Sequence, residues 1–304
     1  MKNSIKYIFI FLILPFMGYA QEGSEAENDT TEKKEVKLER ATFESSYVID
    51  NQTDVILNKN ALEVMFQHRF GLIQDWTDFY GIWAPANIRI GASYGVHERL
   101  TIGVGSTKDF RYQDISWKAA ILRQTRGDEM PLNLTYYGDF AYDAREQEGT
   151  LGSTRPITAH QDRYSYFHQL IFSRRFSPEF SLQIAPSLSH YNVVQEGMQN
   201  DRFAIAFGAR YKISPNTAIL VDYSQPLTQF DVPNYDPATE AAPDFSNHPG
   251  FSIGFEFGTS GHAFQLFVSN YKGIVPQENY MWNTYDFCSG DVLIGFNITR
   301  IYTF

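Results

Sequence analysis

From Leu62 onward the chain repeatedly alternates apolar and polar side chains with a period of two. Leu62, Val64 and Phe66 alternate with Glu63, Met65 and Gln67; Ile88, Ile90, Ala92 and Tyr94 alternate with Asn87, Arg89, Gly91 and Ser93. Leu100, Ile102 and Val104 do the same against Thr101, Gly103 and Gly105. Successive strand side chains point to opposite faces, so this period predicts β-strands and not helices. Strand-like stretches recur at 115–122, 132–141, 164–176, 180–191, 203–211, 217–223, 251–257 and 262–269. The last is DVLIGFNITRIYTF, residues 291–304, where Val292, Ile294, Phe296, Ile298, Tyr302 and Phe304 share one face and Arg300 interrupts it. The tally is about twelve strands, an even number, as closed bacterial membrane barrels have.

The connections between these stretches alternate short and long. The short ones are 95–99, 123–130, 177–179, 213–216 and 258–261; the long ones are 71–85, 106–114, 142–162, 192–201, 225–250 and 270–290. Sorting of this kind places turns at one end of a sheet and loops at the other. The predicted fold is therefore all-β: a transmembrane antiparallel up-and-down β-barrel with short periplasmic turns and long extracellular loops. Such a sheet must close, because an open edge in hydrocarbon leaves backbone N–H and C=O groups unpaired at several kcal/mol each. Apolar side chains then face lipid and polar ones the interior. A terminal aromatic after alternating apolar residues resembles the last strand of outer-membrane barrels, where it serves as the insertion signal.

The N-terminus reads differently. Lys2 and Lys6 precede an apolar run from Tyr7 to Met17, and Gly18-Tyr19-Ala20 supplies small residues at the positions a signal peptidase reads. Residues 1–20 are therefore expected to be a signal peptide, cut before Gln21; no cysteine sits there to carry a lipid. Residues 21–40 are charged and nearly devoid of apolar side chains, which predicts a disordered periplasmic lead-in. The barrel is expected over 41–304, in the outer membrane of a Gram-negative bacterium, with both termini periplasmic. No later apolar run reaches the roughly 18 residues of a membrane helix.

Composition narrows the function. Aromatics make up 16% of the chain, as interfacial girdles at two membrane surfaces require. The formal net charge of -10 becomes -12 once Lys2 and Lys6 are removed, a sign that disfavours nucleic-acid binding. Cys288 is the single cysteine and has no disulfide partner. The seven histidines contain no metal-binding spacing, so no metal and no cofactor is expected. His68 and His190 fall on the lipid-facing register. They suggest a barrel esterase, but no Gly-x-Ser-x-Gly elbow accompanies them, and no catalytic residue is assigned.

Several segments are similar to a Bacteroidota outer-membrane β-barrel family, domain of unknown function 5777. They are Gln52-Thr53, HRFG at 68–71, ANIRIGASYG at 86–95, RLTIGVG at 99–105, Met130-Pro131, IAPSLSHYNVV at 184–194 and ARYKISPNTAILVDY at 209–223. The resemblance spans roughly Phe43 to Phe304 and implies an outer-membrane barrel. It implies no substrate and no catalytic residue.

On the inner register stand Arg69, Arg89, Lys118, Asp139, Arg202, Arg210 and Glu256, with Glu63, Asp114, Asp222, Asp291, Lys212, Arg163 and Arg175, the last two where weak alternation lets a one-residue bulge flip the face. They are the candidate lining of a narrow porin for small polar or charged solutes. The other reading is a salt-bridged network that closes the bore and leaves a structural or partner-binding barrel. The loop 225–250 has five prolines, carries Asp231, Asp236 and Asp244 and has no Lys or Arg, and it is a candidate constriction or lid. Trp76, Trp83, Trp117 and Trp282 are read as interfacial anchors, with sugar stacking as the second reading for Trp76 and Trp83. The expected partners are outer-membrane lipid and lipopolysaccharide, the barrel-insertion machinery during biogenesis, and a small polar solute.

Overall fold

The structure, a computed structural model, describes residues 37–73, 77, 79–150, 155–194, 198–228, 247–259 and 261–304. The expected signal peptide and most of the lead-in lie outside the described residues. So do Trp76 and the acidic loop residues Asp231, Asp236 and Asp244.

Two short strands come first, β1 (Tyr47–Val48) and β2 (Asn51–Gln52). Twelve longer ones come after them: β3 (Ala61–Leu72), β4 (Asn87–His97), β5 (Leu100–Thr107), β6 (Gln113–Leu122), β7 (Asn133–Tyr142), β8 (Tyr164–Arg175), β9 (Phe180–Tyr191), β10 (Asp201–Ser214), β11 (Thr217–Pro226), β12 (Gly250–Thr259), β13 (His262–Ser269) and β14 (Leu293–Thr303). All twelve pair antiparallel with their sequence neighbours, and β14 closes on β3 with Phe296 opposite His68 and Thr303 opposite Ala61. The closed ladder leaves no edge, which is what a sheet surrounded by lipid needs.

Exposure alternates along each strand. In β3, Glu63, Met65, Gln67 and Arg69 are buried, while Leu62, Val64, Phe66 and His68 face out. On the outer surface Ile90 is 58%, Val104 56% and Ile115 55% exposed. In water such surface would cost roughly 25 cal/mol per Å²; in hydrocarbon it costs nothing. Most short connections gather at one end of the barrel and most long ones at the other; the exception is 123–132 at the short-turn end, which is longer than 108–112 and 192–200 at the long-loop end. Register shifts occur near strand ends, between Gly95 and His97, Ala120 and Leu122, Lys212 and Ser214, and Leu293 and Gly295.

The first wall strand begins at Ala61, and residues 41–60 precede it inside the barrel. Residues 37–40 meet the β6–β7 turn, with Leu38 bridging Thr125 and Glu39 N–H donating to Gln124 O. The chain then runs up the bore, turns at Ile49-Asp50 between β1 and β2, and returns to the short-turn end, where Leu57 N–H donates to Thr101 Oγ1 at 3.0 Å. Val48 and Ile49 are fully buried with Phe43, Leu220 and Phe267. Ile49 has φ +59°, a left-handed conformation that a β-branched residue adopts at a cost of about 1–2 kcal/mol.

Candidate functional site

The polar wall and the hairpin satisfy each other. With only two residue pairs, the hairpin leaves most of its backbone polar groups unmatched, and a buried unmatched group costs about 1–3 kcal/mol. The wall supplies the partners. Gln265 Nε2 donates to Tyr47 O at 2.8 Å, Asn297 Nδ2 to Ile49 O at 2.8 Å, Gln183 Nε2 to Gln52 O at 2.8 Å and Lys118 Nζ to Ser46 O at 3.3 Å. In the other direction, the N–H groups of Asp50 and Asn51 both donate to Asp222 Oδ2 at 2.9 Å. Hydrogen bonds from residues 42–57 reach nine of the twelve wall strands.

Asp50, at the tip, is the most heavily engaged side chain of the hairpin. Its Oδ1 accepts from Arg69 Nε at 3.2 Å and Nη2 at 2.9 Å, and its Oδ2 from Ser252 Oγ at 2.5 Å and Ser269 Oγ at 3.0 Å. Asn51 Nδ2 adds bonds to Asp222 Oδ1 and to Ser224 Oγ. Small residues make the room. A Cβ on Gly208 would lie 2.7 Å from Val48 Cγ1, and one on Gly95 would collide with Asn58 O.

From the long-loop end a second element descends. The β13–β14 connection carries a helix, α1 (Pro276–Trp282), with Pro276 in its first turn, where the missing N–H is not needed. Gln277 Nε2 donates to Asp139 Oδ1 at 2.9 Å, the Tyr280 ring stacks on Phe167 at 5.4 Å, and Tyr280 OH donates to Asn51 Oδ1. Hairpin and helix thus meet inside the bore at Asn51 and Tyr280. Between hairpin and wall lies a cavity of about 20 Å³, beside Ser46, Glu63, Arg89 and Lys118; that is room for about one water.

The seven residues expected on the inner face all lie there, and Arg69, Arg89, Lys118, Asp139, Arg210 and Glu256 are tied into this packing. Arg69 binds Asp50 and Asn297 and lies 4.5 Å from the Phe267 ring. Arg89 forks onto Asp114 at 2.5 and 3.0 Å and reaches Gln67 at 3.1 Å. Lys118 and Asp139 hold the hairpin and α1 respectively. Arg210 Nε donates to Glu256 Oε1 at 2.8 Å and Nη2 lies 3.8 Å from Glu44. Arg202 is buried on β10 opposite Ser189. Arg163 corrects its expected position: it lies in a turn before β8, with Nη1 on Asp143 O and Arg145 O. Arg175 closes the short-turn end of β8 through Ser177 O and Pro178 O. Asp50, Asn51, Gln277 and Tyr280 were not signalled in the sequence, where they read as ordinary turn and loop residues.

The histidines lie outside this network. His68 stacks on Phe296 at 5.0 Å on the outer surface, and His190 Nδ1 pairs with Asp201 at 2.7 Å.

Twelve antiparallel strands closed on themselves, apolar outside and polar inside, define a membrane β-barrel. The chain belongs to the DUF5777 family, described as a membrane-bound beta barrel domain, whose model matches residues 43–302. The matched span begins at Phe43, so it takes in the hairpin as well as the wall. No curated protein matches the chain. Solved structures similar to it include the NanC porin, at 8% identity over 80% of this chain and 99% of that one with a TM-score of 0.48. The KdgM porin is 7% identical over 80% and 99% of the two chains, with a TM-score of 0.44. An outer membrane channel, COG4313 from Pseudomonas putida F1, is 9% identical over 82% and 97%, with a TM-score of 0.47.

Proposed function

We propose that this protein is an outer-membrane channel for small polar or charged solutes, shut at rest by its own N-terminal hairpin. The observation that carries the reading is the chemistry of the seal. Wall strands are joined by continuous backbone ladders, whereas the hairpin segment is joined to the wall mostly by single side-chain hydrogen bonds and two ion pairs, Arg69–Asp50 and Arg210–Glu44. Each such hydrogen bond nets only about 0.5–1.5 kcal/mol against water, so the hairpin can exchange its partners for solvent while the wall stays closed. Arg69, Arg89, Lys118, Asp139, Arg202, Arg210 and Glu256 would then line the passage once the hairpin moves. In this reading the short turns and both termini are periplasmic, the host is a Gram-negative bacterium of the Bacteroidota, and the protein is not an enzyme. Lipid, lipopolysaccharide and the insertion machinery are its partners.

A second reading, a permanently closed barrel with a structural or partner-binding role, draws on the small residual cavity beside the hairpin. One variant separates the two. Ser45 Oγ and Thr299 Oγ1 lie 3.4 Å apart across hairpin and wall. The Ser45→Cys/Thr299→Cys pair, with Cys288→Ser, is recorded in a planar bilayer. The channel reading predicts silence when oxidised and stepwise conductance after reduction; silence in both states favours the closed barrel.

A further inference from the structure

At the long-loop end, beside α1, a cleft of about 460 Å³ opens between the β5–β6, β7–β8 and β13–β14 connections. That lies within the roughly 300–1,000 Å³ of small-molecule sites. Arg155 forms its floor. The residue is 7% exposed, its Nη1 donates to Tyr112 OH at 2.9 Å, and its guanidinium lies 3.7 Å from the Phe110 ring and 4.5 Å from the Trp282 ring. Held by these rings, it cannot swing away.

The hydrogen bonding of this floor is incomplete. Arg155 Nε is buried and has no hydrogen-bond partner among the described residues, and neither has Glu278 Oε2. The two side chains approach only to 3.9 Å, between Nη2 and Oε1, too far for a hydrogen bond. A buried donor and a buried acceptor left unmatched side by side cost about 1–3 kcal/mol each. A hydroxyl satisfies both, accepting from the guanidinium and donating to the Glu278 carboxyl oxygen. Around them the charge is uneven. Arg145 is taken by Asp143 at 2.6 Å, whereas Lys272 has no ion pair among the described residues. A ligand carboxylate placed between Lys272 and the guanidinium would gain charge-assisted bonds to both. Trp282 and Tyr285, both partly buried, line the cleft and offer a flat apolar contact of the kind a sugar ring uses.

We infer that this cleft binds a small hydroxyl-rich carboxylate of the sugar-acid class, with Arg155 and Lys272 receiving the carboxylate and Glu278 a hydroxyl. The inference deepens the channel reading by naming a solute at its mouth, and it rests on that reading only for the effect of an occupant on the seal. The same helix links cleft and seal. Glu278 and Trp282 face the cleft, while Gln277 and Tyr280 hold Asp139 and the hairpin. An occupant that shifts α1 therefore acts on the seal.

The test is isothermal titration of the purified full barrel in detergent with D-glucuronate and with D-glucose. Glucuronate is expected to bind on the order of tenfold or more tighter than glucose, the margin of one tenfold step being about 1.4 kcal/mol. Arg155→Met is expected to lose on the order of tenfold in glucuronate affinity, and Lys272→Gln a few-fold. Should Arg155→Met fail to fold, Lys272→Gln at the cleft rim still reads the site. Equal affinity for the two sugars, no binding of either, or unchanged affinity in the variants overturns the inference. Glucuronate binding by a barrel that is silent before and after reduction of the 45–299 cross-link would overturn the channel reading and leave the site standing.

Discussion

Replacing Asp50 by alanine should unlatch the bore. The carboxylate accepts four hydrogen bonds, two from Arg69 and one each from Ser252 and Ser269. Arg69 is fully buried, so the substitution leaves a cation in the bore without its counter-ion. Breaking a buried pair from one side costs about 3–5 kcal/mol, chiefly through the stranded charge. Only the seated hairpin bears this cost, since an unseated hairpin leaves Arg69 in water. At about 1.4 kcal/mol per power of ten, the ratio of open to closed barrel rises by about two to four powers of ten. The assay is open probability in a planar bilayer, compared with the parent protein under the same voltage and salt. A second variant, Asp50→Leu with Arg69→Met, replaces the pair by apolar groups of similar size, which is often neutral or stabilising. It should return open probability toward the parent value. If Asp50→Ala leaves conductance unchanged while the barrel stays folded, or if the double variant opens as readily as the single one, the latch argument is wrong.

Tyr280→Phe removes the bond to Asn51 Oδ1 but keeps the stack on Phe167, so hairpin amides should exchange with deuterium faster by about one to two powers of ten, from a loss of about 1–3 kcal/mol. Unchanged exchange would mean that helix and hairpin are not coupled. Burial pushes the Glu278 carboxyl from 4.5 up to about 7, with Arg155 offsetting part of it. A raised pKa favours the protonated, docked helix, so its stability is full below about pH 4.5 and is lost as pH rises through about 7, on the order of 3 kcal/mol in all. Trp282 fluorescence should report α1 loosening across that window in the parent and little change in Glu278→Gln; loosening on acidification would refute the assignment. Val104→Lys puts a charge mid-strand on the lipid face, where it costs about 2–4 kcal/mol at the bilayer midplane. It should lower the yield of the heat-modifiable barrel on unboiled gels, and a normal yield would place that face away from lipid.

Much of the wall was legible because burial in a membrane barrel follows parity. Once Leu62, Val64 and Phe66 are assigned to lipid, Glu63, Gln67 and Arg69 must point inward, and they do. The rule fails where strands end, which is why Arg163 sits in a turn one residue before β8. The filling of the bore was not legible. Its strands are two residues long, too short to show a period, and its partners are scattered over the chain, Ile49 O meeting Asn297 across 248 residues. Nothing in Asp50 itself distinguishes a latch from a turn residue; three strands converge on it only after closure. Helix α1 is likewise hidden, seven residues inside a loop of mixed composition.

The central claim, that the N-terminal hairpin occupies the bore of a closed membrane barrel, can be tested by labelling one position. Val48 is fully buried between hairpin and wall, beside Gly208. A Val48→Cys, Cys288→Ser protein in native membranes is exposed to a membrane-impermeant maleimide from both sides. The account predicts that the thiol stays unmodified until the barrel is unfolded by heating, and becomes reactive when Asp50→Ala is added. Rapid modification of Val48→Cys in the otherwise unaltered, folded barrel would show that the hairpin lies outside the bore.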